Sequence, residues 1–383
     1  MRSIWAAVLT LAGASLIGCY KNGGSSSNSN DVVIGHVASL TGDTATFGVS
    51  ADEGIRLALD EVNSKGGVLG KQVKVITEDD RSLSDEAKTA CNKLITKDHV
   101  CAILGEIASS RSIAIAPVCE DAKIPMLSPG STNPKVTQGY EYVFRNCFID
   151  PFQGTAMANF AMKQLGFKRF AILYPVNSDY GVGLRQFFTE AVKKNGGQIV
   201  EDVAYTEKQD KDFHGQLTKI KNANPDAIFD SGYYTEAGLI ATQARDLGIT
   251  CPILGGDGWD SDQTVKVGGQ AINGCYFSNH YSPDEDRPEV KQFVAAYQKK
   301  YNGKVPDAMA ILSYDAMNIM CDAIKRAGST DGKKIRDALA ATKDFPGASG
   351  VTTIDDQHNA KKSVVILKIE DGKFKYAGTV KPE

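Results

Sequence analysis

Five short loops hold the residues with chemistry to offer. Gly105-Glu106-Ile107-Ala108-Ser109-Ser110 leads from an apolar run into a helical pattern. Ser109 therefore stands at a helix N-terminus, where free N–H groups and the helix dipole favour an anion. Alone, it would serve only as a cap. Ser128-Pro129-Gly130-Ser131-Thr132-Asn133-Pro134 follows a second apolar run and offers a glycine N–H and three hydroxyls. Farther on, Asp179-Tyr180-Gly181, Gly232-Tyr233-Tyr234 and Gly256-Asp257-Gly258 follow three more such runs. The first set of hydroxyls and N–H groups suits a carboxylate. The second, tyrosine rings and one carboxylate, suits an ammonium. Together they complement a zwitterion.

Other chemistries find no support. Gly66-Gly67-Val68-Leu69-Gly70-Lys71 lacks the spacing of a phosphate-binding loop, and Gln72 stands where Ser or Thr is required. No G-x-S-x-G elbow and no H-E-x-x-H occurs. His36, His99, His214, His280 and His358 are far apart, and each reads as solvated or structural. Glu78-Asp79-Asp80, after a strand, reads as a solvated edge rather than an acid–base pair. Neither an enzyme nor a cofactor is expected. With 43 Lys and Arg against 46 Asp and Glu, the net charge of −3 argues against a generally basic, nucleic-acid-binding surface.

Those loops need strands to end where they begin. At 383 residues the chain has room for two or three domains, and 42% hydrophobic with 23% charged residues is ordinary globular composition. From Asp31 short apolar runs alternate with amphipathic ones: Val32–Ser39, Val49–Ser64, Val73–Thr77, Asp85–Lys97, Val100–Leu104, Ser109–Asp121 and Ile124–Leu127. The alternation predicts an α/β fold with parallel sheets. Tyr142–Ile149 is extended without helical period and reads as a crossover. A second series then runs from Phe170–Tyr174 to Pro252–Leu254. Helices over Val290–Tyr301 and Ala308–Ala327 and strands over Val351–Ile354 and Val364–Glu370 complete the chain.

The start of the chain is different. Ile4 to Ile17 is a 14-residue uncharged run, about 21 Å as a helix and too short to span a bilayer, which suits a secretion signal. Leu16-Ile17-Gly18-Cys19 resembles the lipobox of bacterial lipoproteins. That resemblance implies removal of residues 1–18, lipidation of Cys19 and a flexible Gly/Ser/Asn tether over 19–30. Seven cysteines remain, an odd number whose spacing does not decide their pairing. Cys91 with Cys119, on neighbouring helices, and Cys251 with Cys275, on neighbouring strands, are the pairs to expect.

The run Ser39-Leu40-Thr41-Gly42…Phe47-Gly48, then Gly54…Ala58…Asn63…Gly66-Gly67, then the 128–134 segment, Asp179-Tyr180-Gly181 and Gly232-Tyr233-Tyr234, resembles the leucine/isoleucine/valine-binding proteins. These are type I periplasmic solute-binding proteins of ATP-driven amino-acid importers. The resemblance covers nearly all of 31–383. It implies two Rossmann-like lobes joined by three crossovers: lobe 1 over 31–147 and 281–326, lobe 2 over 148–280 and 327–383. The clamp would close on one amino acid, branched-chain or otherwise aliphatic, and deliver it to membrane permease and ATPase subunits. The protein would be a lipid-anchored monomer outside the cytoplasm. Ser109 and Thr132 would bind the ligand carboxylate. The Gly130 carbonyl, Tyr233 and Asp257 would bind the ammonium. Phe47, Tyr180 and Met309 would line the rest. The same fold could bind urea, a short amide or an aromatic acid, or serve a ligand-sensing receptor.

Three departures stand out. Asp257 replaces the Glu of the branched-chain receptors, drawing the charge back by about 1.5 Å. The family's usual lobe-1 disulfide positions align with Ser82 and Ala108. Arg111, two residues past Ser109, either faces solvent or reaches an acidic ligand side chain.

Overall fold

The computed structural model describes residues 31–382; the expected signal peptide, Cys19 and the tether lie outside the described residues. Lobe 1 opens with five strands, β1 (Val32–Ala38), β2 (Val73–Asp79), β3 (Ala102–Leu104), β4 (Met126–Ser128) and β5 (Val143–Arg145). They form one parallel sheet in the order β2-β1-β3-β4-β5. Helices α1 (Ala45–Ser64), α2 (Ser84–Thr96) and α3 (Ser109–Ala122) connect them. Lobe 2 continues as α4 (Asp150–Lys163), β6 (Arg169–Pro175), α5 (Asp179–Lys194), β7 (Gln198–Tyr205), α6 (His214–Ala223) and β8 (Ala227–Asp230). It goes on through α7 (Tyr234–Asp246), β9 (Ile253–Gly255), α8 (Asp262–Gly268) and β10 (Tyr276–Asn279).

The chain then crosses back. Helices α9 (Pro288–Lys300), α10 (Ala308–Ala327) and α11 (Gly332–Ala340) precede the short hairpin β11 (Phe345–Gly347) and β12 (Gly350–Thr352). A last hairpin, β13 (Val364–Glu370) and β14 (Lys373–Val380), joins lobe 2 antiparallel to β10. That sheet runs β14-β13-β10-β9-β8-β6-β7. Residues 327–360, expected in lobe 2, belong to lobe 1. Ile335, Ala338, Leu339, Ile354 and Ala360 bury their side chains in one cluster with Val32, Ile34 and Leu104. The sequence reading had no α11 to carry that apolar face, so it assigned the stretch to its neighbour. It had no α4, α8 or β14 either.

Local chemistry sets the element ends. The amide of Asn63, near the end of α1, exchanges two hydrogen bonds with the backbone of Val73 at the start of β2 (2.9 and 2.8 Å). Asp307 caps α10 by accepting from the Ala310 N–H (3.0 Å), and Gly328 closes it in the left-handed conformation. At the first crossover, Asn146 donates to the Leu312 carbonyl (3.1 Å) and accepts from the Thr352 hydroxyl (3.0 Å). On the third, Lys362 is buried beside Asp315 (3.9 Å). Asp315 also takes the N–H groups of Ala348 and Ser349 (2.7 and 2.8 Å).

All seven cysteines among the described residues carry free thiols. The Cys91 and Cys119 sulfurs touch across α2 and α3 at 3.6 Å, well beyond a disulfide bond of about 2.05 Å. Cys251 and Cys275 precede the adjacent strands β9 and β10, and they too are unbonded. Both expected bridges are therefore corrected to reduced pairs of neighbours. No helix among the described residues is long and apolar enough to cross a membrane.

Helices α1 and α10 come into backbone contact at Gly54. A Cβ there would lie 2.0 Å from the backbone carbonyl oxygen of Ala310, which cannot swing away as a side chain could. Gly54→Ala should cost roughly 1–3 kcal/mol and lower Tm by several degrees in a thermal melt. Gly215→Ala, on α6 with open space around it, should leave Tm unchanged or slightly raised.

Candidate ligand-binding site

The carboxyl ends of the parallel strands in the two sheets face each other, as ligand-binding ends of doubly wound sheets do. Between them lies a small void. All eight residues expected to bind ligand line it. Phe47 comes from α1, Ser109 from α3, Gly130 and Thr132 from the loop after β4, and Met309 from the first turn of α10. Tyr180 comes from α5, Tyr233 from the turn before α7, and Asp257 from the turn after β9. Ile107 and Gly258 complete the lining. Each sits next to or within two residues of a recognised site residue, so adjacency was the signal available for both.

On the lobe 1 side, Ser109 Oγ accepts the Asn133 N–H (3.2 Å), which leaves the hydroxyl proton free to donate. Ile107 and the Met309 sulfur lie 3.3 and 3.5 Å from where a Gly130 Cβ would stand, so apolar side chains pack to the edge of the polar loop.

On the lobe 2 side, Asp257 is a hub. Its carboxylate accepts from Gln153 Nε2 (2.7 Å) and the Tyr180 hydroxyl (2.9 Å), and His280 Nε2 lies 2.9 Å from its other oxygen. The Tyr180 oxygen in turn accepts the Gly258 N–H (3.1 Å). Burial, with the Asp257 carboxylate behind it, pushes the Tyr180 phenol well up, so it stays a donor. Tyr180 stacks on Tyr233 (5.2 Å, 9°), and Phe47 meets Tyr233 edge-on (5.7 Å). His280 stacks on Phe148 at 3.8 Å, and burial pulls its titration down from the usual imidazole value. Sequence reasoning gave Gln153 and His280 no site role. Gln153 lies on the unrecognised α4, and a lone histidine gives no spacing to read.

Two further expectations change. Arg111 neither faces solvent nor reaches the void: it is buried, 3.0 Å from Glu106 and 3.6 Å from Asp80. Asp80 is no solvated edge either, being fully buried and accepting from Ser39 (2.6 Å). The lobes touch around the void. Asn133 donates to the Asp179 carbonyl (2.7 Å), the Asp179 N–H to Ser110 (3.0 Å), Tyr234 to the Asp43 carbonyl (2.6 Å), and the Ala308 N–H to Asp260 (2.7 Å). This is a closed cleft. Among the described residues, no cluster of His, Cys, Asp or Glu is placed to hold a metal ion.

A closed two-lobed cleft at the strand ends agrees with what the chain is similar to. The profile of the periplasmic binding protein family matches residues 31–373. The chain belongs to that family. The Leu/Ile/Val-binding protein BraC3 of Rhizobium johnstonii is 31% identical over 348 residues, covering 90% of this chain and 93% of the relative. The crystal structure of the leucine-binding protein LivK of Thermotoga maritima is 44% identical with a TM-score of 0.88, covering 92% of this chain and 99% of that one. The branched-chain amino acid transporter substrate-binding protein LivJ of Streptococcus pneumoniae, solved with isoleucine, is 35% identical with a TM-score of 0.87, covering 92% of this chain and all of that one.

This periplasmic binding protein has an acid-rich interior, which sets its response to pH. Burial pushes Asp230 up to about 7 and Asp150 up to about 8. Asp80, Asp260 and Asp307 are also raised, by burial first. Unfolded carboxyls titrate near 4, so between about pH 4 and 8 the native state holds protons that the unfolded chain has released. Stability therefore falls as pH rises through that window. At Asp52, burial acts in the raising direction but is outweighed by His36, Thr77 and Arg56; the net shift is downward, so it acts in the opposite sense at lower pH. Thermal melts of ligand-free protein should give a Tm several degrees higher at pH 5 than at pH 8. A Tm that climbs over that interval contradicts this charge assignment.

Proposed function

We propose that this chain is an extracytoplasmic receptor for a free aliphatic amino acid, which it delivers to the permease of an ATP-driven importer. One observation carries the reading. Hydroxyls of Ser109 and Thr132 on one lobe oppose the Asp257 carboxylate on the other, across a void walled by apolar and aromatic side chains. The first pair suits an α-carboxylate, and Asp257 with the Gly130 carbonyl suits the ammonium. Phe47, Ile107 and Met309 leave only apolar surface for the side chain. The leucine and isoleucine of the related receptors' names agree with that wall, and branched-chain amino acids are the ligands we assign. The ligand touches both lobes only when the cleft is closed, so binding shifts the population toward the closed clamp. Permease and ATPase subunits are the partners, and lipidation of Cys19 would hold the receptor at the membrane.

The reading is tested with protein stripped of ligand and melted against the twenty amino acids, urea, simple amides and benzoate. At a thousandfold excess over Kd, linkage gives about 4 kcal/mol of stabilisation, which is expected for Leu, Ile and Val. A shift with an amide or an aromatic acid and with no amino acid overturns it. Ser109→Ala and Thr132→Ala should each weaken binding by roughly 1–3 kcal/mol with little change in Tm. Asp257→Asn should abolish measurable binding while the protein stays folded. Scattering profiles with and without leucine should differ, the bound form being more compact.

A further inference from the structure

Arg145 ends β5 where the first crossover begins, and its side chain is fully buried. Among the described residues no carboxylate oxygen lies within 4.0 Å of its guanidinium nitrogens. Its partners are neutral. Nη1 donates to the Ser131 carbonyl (2.7 Å), and Nη2 to the Thr137 hydroxyl (3.0 Å) and the Pro134 carbonyl (3.3 Å). Nε has no partner. Asp150 and Asp355 act on the guanidinium only from beyond ion-pair distance, and burial keeps the Cys147 thiol uncharged. Burial works against the charge, but a guanidinium holds its proton at any ordinary pH. A buried cation with no counter-ion is costly.

The carbonyl that Arg145 grips belongs to the peptide joining Ser131 to Thr132. That peptide is trans, so its C=O and its N–H point in opposite directions. The Cys147 thiol donates to the same carbonyl (3.3 Å). At the other end of the peptide, the Thr132 N–H reaches no acceptor among the described residues. Thr132 is nevertheless buried, and it lines the void. A buried N–H calls for an acceptor. Both flanks of the peptide are pinned: Ser128 Oγ accepts the Ser131 N–H (3.0 Å), and the Thr132 carbonyl accepts the Asp150 N–H (3.0 Å).

We propose that Arg145 is a positioning residue of the carboxylate subsite: it fixes and polarises the Ser131–Thr132 peptide, aiming a strengthened N–H at the ligand carboxylate. This rests on the reading that Thr132 meets that carboxylate, and it narrows the ligand to a class. The site takes free acids and rejects their amides. A cation on a carbonyl oxygen draws charge from the amide nitrogen and makes its N–H a better donor, as in other chains of hydrogen bonds. The ligand carboxylate then supplies, one peptide away, the negative charge that Arg145 lacks. A carboxamide brings no such charge and leaves the guanidinium uncompensated.

The experiment is calorimetric titration of the wild type, Arg145→Lys and Arg145→Met with L-leucine and with L-leucinamide, directly or by displacement. Leucinamide keeps the ammonium and the side chain but has no carboxylate. The wild type should prefer leucine by about a hundredfold, and Arg145→Met should shrink that preference about tenfold. Arg145→Lys keeps the cation and should keep most of the preference. Lost packing alone weakens both ligands alike. A preference unchanged in Arg145→Met, or lost equally in Arg145→Lys, therefore overturns the role of Arg145 while leaving the amino-acid reading intact. A wild type that binds no leucine overturns that reading and this role with it. NMR of arginine-labelled wild type depends on no variant's folding. The Arg145 guanidinium protons should move farther downfield with leucine than with leucinamide, since closure is common to both ligands. Equal shifts contradict the proposal.

Discussion

A carboxylate taken out of water must be answered by donors, and the answer given to Asp257 organises this molecule. Its three partners come from three places: Gln153 on α4, Tyr180 on α5, and His280 on the second crossover. Two of the three lie on or just beyond a segment that joins the lobes. The cleft and the hinge therefore share one hydrogen-bond network. His280 is held in turn by Phe148 of the first crossover, so two connecting strands are braced against each other behind the site.

The rest of the contact between lobes is of two kinds. Around the void it is apolar: Phe47, Ile107 and Met309 of lobe 1 join the same buried cluster as Tyr180 and Tyr233 of lobe 2. Beside that cluster it is polar and borrowed from helix ends and loops, as where Asp260 takes the Ala308 N–H at the start of α10. Polar contacts of that sort exchange with water at little net cost, whereas the aromatic wall gains from being covered. Such a division lets the lobes part while favouring closure when something fills the middle.

Much of this was legible in the chain. The β-α alternation gave the parallel strands, and the loops after the apolar runs gave Ser109, Gly130, Thr132, Tyr180, Tyr233 and Asp257, because strand ends are where such folds bind; Phe47 and Met309, on helices, came from the family resemblance alone. What escaped detection depended on pairs that only the fold brings together. Arg111 and Asp80 look solvated one at a time, yet they neutralise each other, with Glu106, inside lobe 1. His280 has no local signature and acquires its place from Asp257, 23 residues away. The 327–360 stretch reads as weakly apolar, and its docking side became evident only against Val32 and Ile34, some 300 positions earlier. Cysteine adjacency was correctly sensed at Cys91 and Cys119, but proximity of thiols does not by itself make a bond.

The return of the chain to lobe 1 and its final step back to β13 and β14 have a consequence for how the protein is made. Neither lobe is a contiguous piece. The first sheet lacks α10 and α11 until residue 340 has been synthesised, and the second lacks two of its seven strands until β13 and β14 arrive. Domains usually fold from the N-terminus as they emerge, but here the growing polypeptide offers no finished half to fold. Contacts so distant along the chain are slow to form, so the thread stays pliable almost to its end. The clamp then assembles as a whole, and no single cut in its gene would yield an autonomous half.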